Sequence, residues 1–211
     1  MSKFIKDSLI LCAITLIAGL LLGAVYEITY DAREEQKEKA KIKAYQTVYS
    51  DASEFIELEE DMSPYVDYLD KNGISSKKVV LDGVVKALSS EGEVLGYIIN
   101  VTSKEGFGGD ISITVGVDNE LKVKGVSILS INETPGLGMN AKNESFLNGY
   151  LVDRDGMFIV NKKDGESGAN IDAISGATIT TKAVTNGVNA AIVVAESILG
   201  GLMENGTEEV E

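Results

Sequence analysis

The run from Ser8 to Val25, SLILCAITLIAGLLLGAV, is apolar and contains no charged residue. An α-helix rises about 1.5 Å per residue, so about 20 apolar residues cross a hydrocarbon core about 30 Å thick. Tyr26 and Tyr30 follow the run, where interfacial aromatic residues lie in membrane proteins. The run predicts a transmembrane helix over residues 8–28, preceded by a short cytoplasmic segment, residues 1–7.

A cleaved signal peptide is the alternative interpretation of this run. The apolar core of a signal peptide is about 7–15 residues long and precedes a small-residue cleavage site. Here the apolar stretch is longer and no clear A-x-A site follows it, so we expect an uncleaved, single-pass anchor in the cell (inner) membrane. Lys3 and Lys6 precede the run and mostly acidic residues follow it, although lysines return between Lys37 and Lys43. This charge pattern favours an extracytoplasmic location for the C-terminal part.

The chain has no histidine and one cysteine, Cys12. These absences exclude Ser–His and Cys–His nucleophile pairs, histidine zinc sites, internal disulfides and iron–sulfur clusters. With 33 acidic and 19 basic residues the net charge is −14, which argues against a nucleic-acid partner. We therefore predict no catalytic and no metal-binding residue, and any redox function of this chain requires an organic cofactor.

Strong helix formers dominate Glu27–Tyr49 and predict a helical stalk after the membrane helix. The next segment, Asp51–Asp70, is acidic, contains Pro64 and gives no clear secondary-structure assignment. We expect the stalk and a connector to occupy residues 29–70.

Strand signals dominate the middle of the chain. Val84–Leu88 and Val94–Thr102 flank the turn-forming segment Ser89–Gly92, as in a hairpin. Ile111–Val117 alternates apolar and polar or small residues, the period of a half-buried strand. Leu121–Ile131 predicts the next strand, so we expect an antiparallel meander.

The C-terminal third has a mixed pattern. We predict a short helix over Asn143–Leu151, a strand over Met157–Val160, and a long helix over Ile179–Leu199 that ends at Gly200–Gly201. The apolar stripe of that long helix is typical of ordinary core packing; it comprises Val184, Val188, Ala191, Ala195 and Ile198. The predicted fold class is α+β, with one domain over residues 71–200 that combines an antiparallel sheet with packed helices, and an acidic tail, 201–211.

Three glycine clusters carry the chemical information. Gly106–Gly109 begins like a dinucleotide fingerprint but has Ile111 where the third glycine belongs. Glu133–Gly138 predicts a shaped turn that lets backbone approach a flat ligand. Asp172–Thr178 leads into the last helix, with Thr178 as the expected N-cap, and unpaired N–H groups there favour a phosphate. From the residues alone, each cluster also fits a purely structural turn.

The third cluster resembles a known modification motif. Asp172-x-x-Ser175-Gly176-Ala177-Thr178 is similar to the motif D-x-x-(S/T)-G-A-T of the FMN-binding domain family, whose last threonine carries FMN through a phosphoester bond. The resemblance implies covalent FMN on Thr178, attached by a flavin transferase that takes FMN from FAD.

The other two clusters also resemble this family. The hexapeptide ETPGLG at 133–138 matches a family loop, and Gly106–Gly109 matches its G-(Y/F)-G-G turn. The family often has proline after the last glycine of that turn, where this chain has Asp110.

The resemblance assigns a role to each motif residue. Ser175, Gly176 and Ala177 shape the turn before Thr178, and Asp172 serves recognition by the transferase and local hydrogen bonding. The ETPGLG loop lines the flavin ring or ribityl chain. The candidate cofactor-binding residues are Thr178, Asp172, Ser175, Gly176, Ala177, Glu133, Thr134, Gly136, Leu137 and Gly138.

The order of anchor, stalk and one FMN domain resembles the G-subunit family of Rnf-type ion-translocating electron transport complexes. This resemblance implies an electron-transfer component of a redox-driven ion translocase, with the other membrane subunits of the complex as partners. Two alternatives stay open. One is the C-subunit family of sodium-pumping NADH:quinone reductases, which shares the domain and motif, and the other is a non-redox membrane-anchored scaffold.

Overall fold

The computed structural model describes residues 2–59, 61–153, 156–161, 163 and 167–206. The chain divides into two compact units, Met1–Ile42 and Lys43–Glu211. Helix α1 (Ser2–Val48) covers the predicted anchor and stalk without a break. Its last turns belong to the second unit.

Two of the described helices are long and apolar enough to cross a membrane, judged by length and composition. The first is Lys3–Val48, whose apolar window is fully exposed. The second, Thr178–Gly201, is mostly buried within the folded domain. Of these two, the N-terminal helix is therefore the one whose apolar window the rest of the described chain leaves unburied.

The described residues of the second unit form a sheet of five strands, a separate pair of strands and three further α-helices. In chain order its elements are β1 (Glu54–Glu57), α2 (Ser63–Lys71), β2 (Val79–Leu88), β3 (Val94–Ser103), β4 (Ile111–Asp118), β5 (Val123–Ser130), a 3₁₀ turn (Gly138–Lys142), α3 (Glu144–Leu147), a second 3₁₀ turn (Asn148–Tyr150), β6 (Phe158–Val160), β7 (Ala169–Ile171) and α4 (Thr178–Gly206).

The sheet has the order β1-β2-β3-β4-β5, and every neighbouring pair is antiparallel. The predicted meander and the α+β class are confirmed. Three strands or α-helices were not predicted by pattern. Two of them, β1 and α2, form within the acidic segment whose sequence gives no clear assignment, and the third is β7. A further pair, β6 and β7, is parallel and separate from the main sheet.

Helix α4 covers one face of the sheet. Its apolar stripe, including Val184, Val188 and Ala191, is fully buried in one core together with Ile113 and Val115 of β4. The expectation that this stripe packs in the core is confirmed.

The end of α1 covers the opposite face of the sheet. Tyr45, Val48 and Tyr49 pack there against Val85 and Ile98. For this reason β4 is buried on both faces, and its interpretation as a half-buried strand was wrong. Alternation in the sequence shows which residues share a face, but it does not show what covers the other face.

Gly116 and Gly125, on adjacent strands, let the α1 backbone approach the sheet, and Gly96 makes room for the side chain of Tyr49. A Cβ at Gly116 would lie 2.7 Å from the carbonyl oxygen of Val48, and one at Gly125 would lie 2.5 Å from the Cα of Val48. A Cβ at Gly96 would lie 2.6 Å from the hydroxyl of Tyr49. Only glycine permits this contact, because these distances are shorter than van der Waals separation.

Several boundaries differ from their predictions. Strand β5 is shorter at both ends than the predicted Leu121–Ile131, and the helix predicted over Asn143–Leu151 consists of α3 and a 3₁₀ turn. Helix α4 continues to Gly206, so the expectation that Gly200–Gly201 ends it was wrong. Glycine costs a helix about 1 kcal/mol relative to alanine but does not forbid helical dihedrals. Strand β2 begins at Val79, five residues before the predicted start.

Candidate functional site

The three glycine clusters meet at one cavity of about 450 Å³. This volume lies within the range of small-molecule sites, about 300–1,000 Å³. The described residues that line it are Phe107, Glu133, Thr134, Leu137, Gly138, Gly176, Ala177, Thr178, Ile179 and Thr180. The three clusters that the sequence singled out are far apart in the chain and border the same cavity.

The first turn of α4 forms one wall of this cavity. The helix begins at Thr178, and the C=O of Ala177 accepts a hydrogen bond from the N–H of Thr181 at 3.0 Å. Ala177 is therefore the N-cap, and the prediction of Thr178 at that position was wrong by one residue. The N–H groups of the first helical turn have no acceptor within the helix, and they favour an anionic group.

The preceding turn fixes the direction of this helix end. The N–H of Ala177 donates to the C=O of Ile174 at 2.9 Å, and Gly176 has φ +73°. A Cβ at Gly176 would lie 3.0 Å from Cδ2 of Leu137. Glycine is required here both by the left-handed φ and by contact with the opposite loop.

Three threonine hydroxyls lie in this helical turn, and the structure separates them. Thr178 is exposed, whereas Thr180 and Thr181 are 2% and 0% exposed. The Oγ1 atom of Thr181 donates to the C=O of Ala177 at 2.9 Å and accepts from the N–H of Ile174 at 3.0 Å. Of the three hydroxyls, that of Thr178 is the one that both lines the cavity and is open to solvent.

The loop after β5 forms the facing wall. Gly136 has φ +78°, and the C=O of Thr134 accepts from the N–H groups of Leu137 and Met139 at 3.1 and 3.2 Å. A Cβ at Gly138 would lie 2.7 Å from Oγ1 of Thr180. This loop therefore packs directly on the first turn of α4.

The turn between β3 and β4 forms the rim. The backbone N–H of Phe107 donates to Oε1 of Glu133 at 2.7 Å, and a Cβ at Gly108 would lie 1.9 Å from the C=O oxygen of Asn132. These contacts join the turn to the loop after β5. They also hold the Phe107 ring at the cavity, where it is 72% exposed.

An ion pair anchors the same turn from its other side. Glu105 accepts from Lys78, the residue before β2, at 2.8 Å and from the side-chain amide of Asn186 in α4 at 2.7 Å. The hydrogen bond from Lys78 lowers the pKa of the Glu105 carboxyl below its usual value, and that from Asn186 adds to this effect. Sheet, turn and helix are thus connected beside the cavity.

Three of the predicted site residues do not line the cavity. Gly136 shapes the loop from outside it, and Ser175 is exposed in the turn before α4. Asp172 is also exposed; its Oδ1 atom accepts from the side-chain amide of Asn170 at 2.7 Å. It faces a separate cavity of about 300 Å³, together with Phe146.

Phe107, Ile179 and Thr180 line the cavity but are not among the predicted site residues. The sequence analysis identified the glycine turn around Phe107. The aromatic side chain within that turn was the signal that could have predicted Phe107 as a site residue. Ile179 and Thr180 follow the motif directly, in the helical turn whose N–H groups were expected to face a phosphate. Phe107, Leu137 and Ile179 give the cavity exposed apolar surface, which suits a flat aromatic ligand.

Known proteins resemble this chain over most of its length. A family model described as FMN-binding domain matches residues 106–193. The chain is 32% identical to the G subunit of the proton-translocating ferredoxin:NAD(+) oxidoreductase complex of Clostridium ljungdahlii, over 88% of each chain. It is 29% identical to the G subunit of the Na(+)-translocating ferredoxin:NAD(+) oxidoreductase complex of Acetobacterium woodii, over 92% of each chain.

A solved structure shares the fold. The crystal structure of the C subunit of the Na(+)-translocating NADH-quinone reductase from Parabacteroides distasonis superposes with a TM-score of 0.53 at 17% identity, covering 78% of this chain and 94% of that one. From the sequence relationship over nearly its full length, the chain belongs to the G-subunit family of ion-translocating ferredoxin:NAD(+) oxidoreductase complexes, and its C-terminal part includes that family's FMN-binding domain.

Proposed function

We propose that this chain is a membrane-anchored flavoprotein electron carrier and a subunit of an Rnf-type ferredoxin:NAD(+) oxidoreductase complex. FMN occupies the cavity between the three glycine clusters and is joined to Oγ1 of Thr178 by a phosphoester bond. The full-length relationship to G subunits supports the assignment to this complex rather than to the sodium-pumping quinone reductase.

The position of Thr178 is the observation that carries this proposal. Its exposed hydroxyl lies at the first turn of a long helix and on the wall of a cavity with apolar surface. A phosphate joined there lies near unpaired N–H groups and the positive end of the helix dipole. The first turn of α4 thus accommodates an anionic group, and the adjacent apolar surface of the cavity accommodates a ring.

The residues of this cavity fit FMN. Gly138 lets the loop after β5 pack on the first turn of α4 at the cavity wall, since a Cβ there would lie 2.7 Å from Thr180 Oγ1. Phe107 and Leu137 present apolar surface to a ring. When bound, FMN supplies the electron acceptor and donor that these side chains do not provide, and the chain itself holds and orients it.

Attachment requires a second protein. In the step that the motif implies, Oγ1 of Thr178 forms a bond to the FMN phosphorus of FAD while the bond between the two phosphates breaks. AMP leaves, and the proton of the hydroxyl passes to a base of the flavin transferase. Exposure of Thr178 supports this route, because the attacking oxygen must be reached from outside the domain.

The N-terminal helix anchors the carrier among its partners, the other membrane subunits. Its apolar window is fully exposed, which supports a single membrane span. The charges beside the span favour an extracytoplasmic flavin domain. A covalent bond suits that location, because a cofactor lost outside the cytoplasm is not easily recovered.

The intact mass of the full-length chain, produced with a flavin transferase, tests the proposal. We expect a gain of one FMN less one water in the wild type and in Thr180→Val, and no gain in Thr178→Val. Thr180→Val is a matched control because it removes a buried hydroxyl from the same cavity. An unmodified wild type, with a transferase that modifies another substrate, would favour the scaffold alternative.

A further inference from the structure

Glu133 is the one charged residue among the described residues that line the cavity. Glu133 is only 7% exposed. Glutamates are rarely buried to this degree unless a cation pairs with them. A buried carboxylate in a cofactor cavity therefore calls for an explanation.

The described surroundings of Glu133 supply a hydrogen bond but no counter-charge. Oε1 accepts from the backbone N–H of Phe107 at 2.7 Å. No lysine or arginine is among the described lining residues, and the sequence contains no histidine. By contrast, Glu105 outside the cavity is paired with Lys78.

The second oxygen of this carboxylate lies at the packed junction of the two walls. Oε2 of Glu133 lies 2.8 Å from the position of a Cβ on Gly138, and Oγ1 of Thr180 lies 2.7 Å from the same point. A buried carboxylate and a buried hydroxyl thus flank a loop residue that has no side chain. The negative charge is held inside the wall rather than in solvent.

We propose that Glu133 lowers the reduction potential of the flavin held in this cavity. The inference rests on the proposed function, since it requires FMN in the site. Reduction adds negative charge to a flavin, and a fixed carboxylate in the same buried space raises the energy of that charge. Coulomb interactions there are less screened than in water.

A purely structural role makes a different prediction. The bond to Phe107 joins two loops, and a glutamine at position 133 can accept the same N–H with its amide oxygen. Glu133→Gln therefore keeps size and hydrogen bond while removing the charge. If Glu133 served only to join the loops, this variant would leave the potential unchanged.

The test is a spectroelectrochemical titration of the full-length chain in detergent, after intact mass has shown flavin on the wild type. We expect Glu133→Gln to favour flavin reduction at least tenfold in equilibrium constant, which is about 59 mV for a one-electron step. Glu105→Gln, which removes a paired carboxylate next to the same turn, is expected to leave the potential near that of the wild type.

Other results would overturn the proposal. If Glu133→Gln carries flavin and its reduction potential is unchanged, Glu133 serves only to join the two loops. If the variant folds but carries no flavin, the carboxylate is needed for flavin attachment. If Glu133→Gln does not fold, Ile179→Lys places a positive charge on the same wall. A potential equal to that of Ile179→Gln would then contradict the proposal. Absence of flavin on the wild type instead contradicts the proposed function, which the mass measurement detects first.

Discussion

A Cβ atom on Gly138 would lie 2.7 Å from Oγ1 of Thr180. The loop after β5 therefore contacts the first turn of α4 at Gly138, a residue without a side chain. Both residues line the cavity. The contact between Gly138 and Thr180 packs the ETPGLG segment against the motif that contains Thr178. The two segments are too far apart in the sequence for a local pattern to reveal this contact.

We expect Gly138→Ala to lower flavin attachment to Thr178 by at least tenfold. The new methyl group must displace either Thr180 or the buried Glu133, because both lie within 2.8 Å of it. The measurement is the rate of mass gain with purified flavin transferase. Gly83→Ala is the matched control, since a Cβ there meets nothing within 4 Å; equal rates for both variants would contradict the packing argument.

Gly125→Ala is expected to destabilise the domain by about 1–3 kcal/mol, the usual cost of overpacking. Its Cβ would lie 2.5 Å from the Cα of Val48, and two stretches of backbone cannot move apart as easily as a flexible side chain. The unfolding of the full-length chain by denaturant measures this change. Gly83→Ala again serves for comparison, and a similar loss in that variant would point to a general effect of alanine in the sheet.

Asn100→Ala is expected to lower the free energy of unfolding by about 1–3 kcal/mol, because it removes two buried hydrogen bonds. The side-chain amide of Asn100 donates to the hydroxyl of Tyr45 at 2.8 Å and accepts from Thr114 at 2.8 Å. Denaturant unfolding of Asn100→Ala, of Tyr45→Phe and of the double variant tests this. Strictly additive losses would show that the two side chains do not interact.

The stability of the domain is expected to fall at alkaline pH through Tyr49. Burial, with smaller contributions from Asp118 and Asp51, raises the pKa of the Tyr49 hydroxyl from 10.0 to about 12. Its neutral form also donates to the C=O of Leu95 at 2.6 Å. The folded state therefore retains a proton that the unfolded state loses, and this contribution is complete below about pH 10 and disappears as the pH rises to about 12.

The comparison with Tyr49→Phe isolates this effect. The difference in unfolding free energy between wild type and variant should decrease across that interval, whereas titrations of other groups are common to both proteins. A difference that stays constant from about pH 9 to about pH 12 would show that Tyr49 titrates alike in the folded and unfolded states.

The sequence by itself determined the features that depend on near neighbours in the chain. An uncharged run long enough to span a membrane predicted the N-terminal helix, and alternation over Ile111–Val117 predicted a strand of the meander. The spacing of Asp172 and Thr178 indicated the family, because the whole motif lies within one short segment. Each of these signals is local, because helix and strand periods are set by residues a few positions apart.

Tertiary structure alone decided the properties that depend on distant segments. It buried both faces of β4, since the end of α1 and helix α4 approach from opposite sides. Of three neighbouring threonines it left only Thr178 exposed on the cavity wall, and it enclosed Glu133 without a described cation. Burial and pairing are relations between elements far apart in sequence, so their energies arise only when the sheet, the loops and the two helices pack together.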